Sequence, residues 1–275
     1  MSSQVSFQYR PTQTRGGADH GWLKTLHTFS FASYYDPRFE SFGSLRVINE
    51  DRVAPGTGFP THPHREAEIF SYVLGGTLAH KDSMGNVEGM TRGDVQMTSG
   101  GTGIRHSEYN GGKDEVHFLQ IWALPNARNL TPKYYARHFS DAEKTDKWAH
   151  VVAPTSFPGV IDERDAKGPT PIHADLNFFA TLLSPGKELN KEVTDRSDNK
   201  PGDKLVYVQV VQSTKYNTGP ALKDGAHVEV SLGGQNQVLG EGDGVFIRGA
   251  KSKDEVVVKN TGTKVAEVVL FEMDK

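Results

Sequence analysis

The sequence predicts an all-β chain built from antiparallel units. Three observations carry that expectation. Apolar runs are short, and turn signals recur roughly every eight to twelve residues, the spacing of sandwiches and barrels. Glycine (29) and proline (14) are spread along the whole chain of 275 residues. The segment from Leu239 to Ile247 echoes that from Met90 to Met97: in both, a Gly-Asp turn opens an apolar strand. The length suits two domains or one large β domain, either able to bury a core without staples.

In chain order, residues 1–140 form the first region. Gly75-Gly76, Met84-Gly85-Asn86, Arg92-Gly93-Asp94 and Asn110-Gly111-Gly112 break up strands expected at 69–74, 95–97 and 116–122. Residues 141–175 read as a connection. Ser140 and Glu143 form a capping box, in which each side chain satisfies a free backbone donor, so a short helix follows and ends before Trp148. Pro154, Pro158, Pro169 and Pro171 then keep the chain extended, with Phe157 and Ile161 partly packed. Residues 176–275 return to strands, expected at 176–183, 204–212, 227–232, 244–247, 256–259 and 265–271.

Composition narrows the function classes. Lys and Arg number 31 and Asp and Glu 34, a formal charge of −3, so direct nucleic-acid binding is not expected. No cysteine is present, which excludes disulfides, thiolate metal sites and a cysteine nucleophile. No apolar run approaches the roughly 18 residues of a membrane helix, and residues 1–10 hold no signal-peptide core. A cytoplasmic protein with no membrane partner is expected, nuclear entry remaining open for a eukaryotic source.

The chemistry concentrates between Gly56 and Asn110. His62 and His64, at i and i+2 on an extended chain, point to one face, with Pro63 stiffening the link. Glu68 shares their parity. His106 and Glu108 repeat the i, i+2 spacing. Three imidazoles and a carboxylate leave positions free on a six-coordinate cation and suit iron(II); manganese, nickel, copper and zinc also fit. His20, His27, His80, His117, His138, His150, His173 and His227 have no second ligand at suitable spacing and read as structural or surface. Gly100-Gly101-Thr102-Gly103 lacks the Lys of a phosphate loop and reads as a turn. Phe59, Phe70, Phe118 and Trp122 read first as core and second as walls for a flat ligand. Arg65 and Arg105 flank the histidines at opposite parity and point away, which disfavours a sugar-phosphate isomerase. Gln120 and Ser107 are the nearby polar residues for orienting imidazoles.

The pattern Gly56-x5-His62-x-His64-x3-Glu68-x6-Gly75 resembles the first cupin motif. Gly93 followed by Gly103-x2-His106-x3-Asn110 resembles the second, with two extra residues between and Ser99 where many cupins have Pro. The surrounding segments His27–Ala32, Tyr35-Asp36-Pro37, Gly58–His64 and Gly103–Glu108 resemble the pirin family, its bacterial and fungal members most closely. The likeness is strong over 15–135 and general beyond. It implies a bicupin: two antiparallel β-sandwich (jelly-roll) barrels facing each other, with a few short helices. Residues 1–140 would be the metal-binding cupin and 176–275 a cupin without a metal site, so one divalent metal per chain, iron(II) first. The implied ligands are His62, His64, His106 and Glu108. In most cupins the carboxylate at Glu68 is the ligand instead, and spacing alone leaves that choice open. The implied activity is that of a quercetin 2,3-dioxygenase: a flavonol and O2 as substrates, a depside and carbon monoxide as products, and Glu108 or Glu68 taking the 3-hydroxyl proton. A rival implied by other pirins is an iron-binding, redox-responsive regulator acting through a protein partner. A monomer is expected.

Overall fold

A computed structural model describes residues 4–195 and 202–275, and nearly all of the regular structure in them is antiparallel strand. The chain divides into two compact units. The first comprises Gly16–Ser140 and Ala153–Asp175, and the second Met1–Arg15, Asp141–Val152 and Leu176–Lys275.

In the first unit one sheet runs Lys133–His138, Asp94–Ser99, Glu68–Gly75, Val116–Ala123, Leu45–Val53, Leu23–His27 and Gly16–Asp19. A four-stranded sheet runs Gly58–His64, Ile104–Asn110, Leu78–Asp82 and Val87–Met90. Its core includes Leu23, Val53, Val73, Leu78, Met90, Val116 and Phe118. In the second unit the strands run Ser6–Arg10, Gly244–Ala250, Lys204–Val210, Ala266–Asp274, Asn177–Leu183 and Ala149–Pro154. Glu188–Glu192, Glu255–Asn260, His227–Leu232 and Gln235–Gly240 form its smaller sheet. Among the described residues nineteen buried apolar side chains cluster as its core, many of them valines, as expected where strands are packed on an inner face.

The strands expected from the sequence are present; about half of their ends extend by a residue or more, while the ends expected at 176, 212 and 265 fall short by one or two residues. The helix after Ser140 is one turn, Asp141–Lys144. Two boundaries differ from the sequence reading. Residues 1–15 group with the second unit rather than with 16–140, because Ser6–Arg10 pairs along Gly244–Arg248. The stretch 141–175 is not a free connection. Its first part joins the second unit, and 153–175 packs on the first. Arg137 holds that later part by donating to the carbonyls of Ile161, Glu163 and Arg164, and Tyr135 donates to Asp162. Phe157 is half-buried, but Ile161 is 43% exposed: its contribution is its carbonyl, not its side chain.

The two units repeat one design. In the first, Gly93 N donates to Val73 O, Asp94 N to Thr91 O, and Thr91 N to Asp94 Oδ2. In the second, Gly242 N donates to Val210 O, Asp243 N to Gly240 O, and Gly240 N to Asp243 Oδ2. Asn110 Nδ2 donates to Val53 O and Asp114 O while its Oδ1 accepts from Gly112 N. Asn260 does the same with Leu183 O, Lys264 O and Gly262 N. Strand registers agree with this equivalence: Val116 faces Val53 as Ala266 faces Leu183, and Asn110 faces Leu78 as Asn260 faces Val228.

Candidate metal centre

Gly58–His64 and Ile104–Asn110 pair antiparallel, which sets His106 opposite His62 and Ile104 opposite His64. Side-chain alternation then sends His62, His64, His106 and Glu108 to one face. A register shift between His106 and Glu108 marks a bulge there, a common way to re-aim side chains at a site. The three imidazole rings lie 4.6–4.8 Å apart, and one donor nitrogen from each lies within 4.8 Å of the others.

The tautomers suit a cation. His62 Nδ1 lies 2.7 Å from Pro60 O, so it carries the proton and leaves Nε2 as a lone pair. That Nε2 faces His106 Nε2 at 3.1 Å. Two such atoms at that distance need a proton or a cation between them. Burial, then His106 and His62, push the His64 pKa down to about 4, and burial lowers that of His106. Both are therefore neutral near pH 7, the form that ligates metal. The donor set fits a divalent cation.

The two candidate carboxylates differ in their partners. Glu108 is buried, and its Oε1 accepts from Ser71 Oγ at 3.0 Å and Oε2 from Gln120 Nε2 at 2.8 Å. It offers an oxygen within 4.8 Å of a His106 nitrogen. Glu68 is fully buried elsewhere, accepting from Ser99 Oγ at 2.6 Å and from the His173 N–H at 3.0 Å. It belongs to neither cluster of potential ligands among the described residues. Gln120 thus orients the carboxylate, not an imidazole, and Ser71 rather than Ser107 supplies the hydroxyl.

A cavity of about 510 Å³ opens on His62, His64 and Glu108. Trp122 stands 4.9 Å from His64, edge to face, and Phe31 stands against Trp122 at 5.6 Å. Phe59 and Trp122 line the cavity, whereas Phe70 and Phe118 are core. Phe31 lines it too, a residue the sequence pattern did not single out. His27 and Asn49, hydrogen-bonded at 2.8 Å, lie on the polar wall. Arg65 and Arg105 line a second recess with His64, Ser83 and Thr102, and Arg65 Nε donates to Thr102 O.

One reading needs correction. His80, taken as structural for want of a ligand at suitable spacing, lies beside His106 and Glu108, each of the three offering an atom within 4.8 Å of the others. Its place follows from the pairing of Leu78–Asp82 with Ile104–Asn110, which sets His80 opposite Glu108. Only the His80-x-Asp82 spacing signals it locally.

The second unit carries no such donors at the matching positions. Counting from Asn110 and Asn260, and from the paired registers, His106 corresponds to Val256, Glu108 to Val258 and His80 to Val230. His62 corresponds to Lys191, Ser71 to Val208 and Gln120 to Leu270. The valines and the leucine are fully buried. Lys191 pairs with Glu272 at 3.0 Å and sits over the Phe179 ring.

A chain of two repeated β-sandwich units, with a His-x-His pair and a His-x-Glu pair on paired strands of one of them, is a bicupin with one candidate metal centre among the described residues. Comparison with known proteins narrows the class. The pirin family model matches residues 8–123. A quercetin 2,3-dioxygenase of Escherichia coli O157:H7 is 37% identical over 239 residues, 84% of this chain and 95% of that protein. A pirin-like protein of Caulobacter vibrioides is 35% identical over 266 residues, 96% of this chain and 97% of its own. The crystal structure of the bacterial pirin YhhW from Escherichia coli in complex with nickel(II) superposes with a TM-score of 0.75 at 32% identity, covering 98% of this chain and 99% of that one. The chain belongs to the pirin family.

Proposed function

We propose that the protein is a metal-dependent oxygenase that cleaves flavonols of the quercetin type with O2. The observation that carries this is the cluster of His62, His64 and His106, with Glu108 beside His106, at a cavity that His62, His64 and Glu108 line together with Trp122, Phe31 and Phe59. The names of relatives at 37% and 41% identity support an oxygenase role.

His62, His64, His106 and Glu108 would hold one divalent cation, iron(II) first, with nickel supported by the complex of a relative. When bound, the cation supplies Lewis acidity that favours an ionised hydroxyl, and redox chemistry with O2. The protein's own groups do the rest. Glu108, fixed by Ser71 and Gln120, is placed to take the proton of a hydroxyl delivered to the cavity floor. Trp122, Phe31 and Phe59 give a flat ring an apolar bed, and a volume near 510 Å³ is ample for a three-ring ligand. His27 and Asn49 offer polar atoms for hydroxyls on the opposite edge.

The test is oxygen uptake by anaerobically iron(II)-reconstituted protein on addition of quercetin. Uptake with carbon monoxide release is expected, and none in the His62→Ala/His64→Ala variant. Protein that holds one iron per chain yet consumes no oxygen with quercetin would overturn the substrate assignment.

A further inference from the structure

Behind the cluster lies a buried polar pair that the proposed chemistry does not use. His80 and Asp82 have fully buried side chains, with His80 Nε2 at 3.2 Å from Asp82 Oδ2. Asp82 is saturated with donors: Met84 N and Asn86 N reach Oδ1, and Asn86 Nδ2 reaches Oδ2. Burial opposes its ionisation, but those hydrogen bonds and that from His80 hold it below the usual carboxylate range. An ionised carboxylate only accepts, so the His80 Nε2–H donates to Asp82, and in the neutral ring that leaves Nδ1 as the acceptor.

His106 presents the complement. Its Nε2 is turned to His62, so its Nδ1 carries a proton once Nε2 is a ligand. Nδ1 of His106 and Nδ1 of His80 are both buried without a hydrogen-bond partner. One is a donor and the other an acceptor. The rings lie 5.3 Å apart, and a ring nitrogen of His80 lies within 4.8 Å of a ring nitrogen of His106, a separation that one water can bridge. Buried polar atoms are rarely left unsatisfied, and metal-bound imidazoles regularly donate their second N–H.

We propose that His80, held by Asp82, is the positioning residue for His106: it accepts the His106 Nδ1–H across one buried water and so fixes that imidazole with its Nε2 toward the cation. The inference rests on the metal reading of the cluster. The repeat within the chain supports it. Where the second unit has Val256 in place of His106, it has Val230 and Leu232 in place of His80 and Asp82, so the three polar side chains are present in one unit and absent from the other together. The pair is also held rigidly. Its strand register sets Asp82 opposite His106, and the Tyr134 ring lies 5.1 Å from His80.

The experiment titrates the full-length protein with cobalt(II) against a chromophoric chelator and records the exchangeable, hyperfine-shifted imidazole N–H signals by NMR. Wild-type protein is expected to bind one equivalent and show three such signals, for His62, His64 and His106. His80→Leu is expected to weaken binding roughly 10- to 100-fold and to shift or broaden one signal while leaving two unmoved. His80→Asn keeps an acceptor near the lost Nδ1 and should recover most of the affinity. Asp82→Asn leaves the ring but removes the charge that fixes its proton, so it should move the same signal with a smaller loss, and it serves if the Leu variant does not fold. Wild-type affinity with three unmoved signals in a folded His80→Leu or, failing that, Asp82→Asn protein would overturn the inference alone. Two equivalents in wild type, one lost in His80→Leu, would overturn it by making His80 a ligand. Wild-type protein that binds no cation would overturn the metal reading and the inference with it.

Discussion

Glu68 and Glu108 are alike in strand parity but not in surroundings. Glu108 has two neutral donors and a histidine cluster beside it, whereas Glu68 is occupied by Ser99 and the His173 N–H. Their amide variants should therefore fail differently. Glu108→Gln keeps the hydrogen-bonding shape but removes the charge and the base, so metal affinity should fall at least tenfold with little change in the unfolding midpoint of the metal-free protein. Glu68→Gln can keep its oxygen on the His173 N–H and turn its amide group to the Ser99 hydroxyl, which can accept, so it should cost no more than about 1 kcal/mol of stability with metal affinity retained. Metal titration beside urea unfolding separates the two. At the same scale His150 sets a pH dependence. Burial drives its pKa down to about 4, with Lys191 adding to the shift and the Asn177 hydrogen bond opposing it. Because the folded value lies below the ordinary 6.5, the unfolded chain takes up its proton first as pH falls. The stabilisation is whole above pH 6.5 and is lost between 6.5 and about 4, at a slope of up to about 1.4 kcal/mol per pH unit. His150→Gln should flatten urea midpoints over that interval, and parallel curves for variant and wild type would show that His150 contributes nothing to it.

At the scale of elements, the Gly-Asp turns hold the strands that frame each unit. Gly93 has φ +87, and a Cβ there would lie 2.3 Å from the Phe139 carbonyl oxygen, a backbone atom that cannot swing aside. Gly85 has a similar φ of +93 but open space around it. Gly85→Ala should cost about 1–2 kcal/mol for the left-handed backbone alone, and Gly93→Ala at least about 3 kcal/mol because the clash adds to it. Equal losses in urea unfolding would show that the turn region can shift. The Gly-Asp echo is visible in the sequence because a turn is local, and so are the His-x-His and His-x-Glu pairs, whose period-two spacing needs no knowledge of partners. What the sequence did not yield depends on long-range pairing. His80 meets Glu108 only through the register of Leu78–Asp82, Phe31 reaches the cavity from a loop, and Ser6–Arg10 joins a strand some 240 residues away. Gln120 was visible as a nearby polar residue, but its target was not, since the carboxylate it orients lies on another strand.

For the whole molecule, the internal repeat explains why a duplicated framework would carry a single centre. The turns and asparagine clamps that shape each unit are kept in both, while the positions matching His106, Glu108, His80, Ser71 and Gln120 are filled in the second unit by Val256, Val258, Val230, Val208 and Leu270. Those side chains form a continuous apolar core, which stabilises the fold through burial but offers no lone pair to a cation. Ligand binding stabilises only the structure that binds, by RT ln(1 + [L]/Kd), about 2.7 kcal/mol at a hundredfold excess over Kd. Nickel(II) should therefore slow amide exchange in 58–64, 78–82 and 104–110 and leave 204–210, 227–232 and 255–260 as they were. Hydrogen–deuterium exchange read by mass spectrometry resolves these peptides in one experiment. Protection of 255–260 equal to that of 104–110 would mean either that the second unit holds a cation of its own or that the two units open together, and a stoichiometry of one or two metals per chain decides between these.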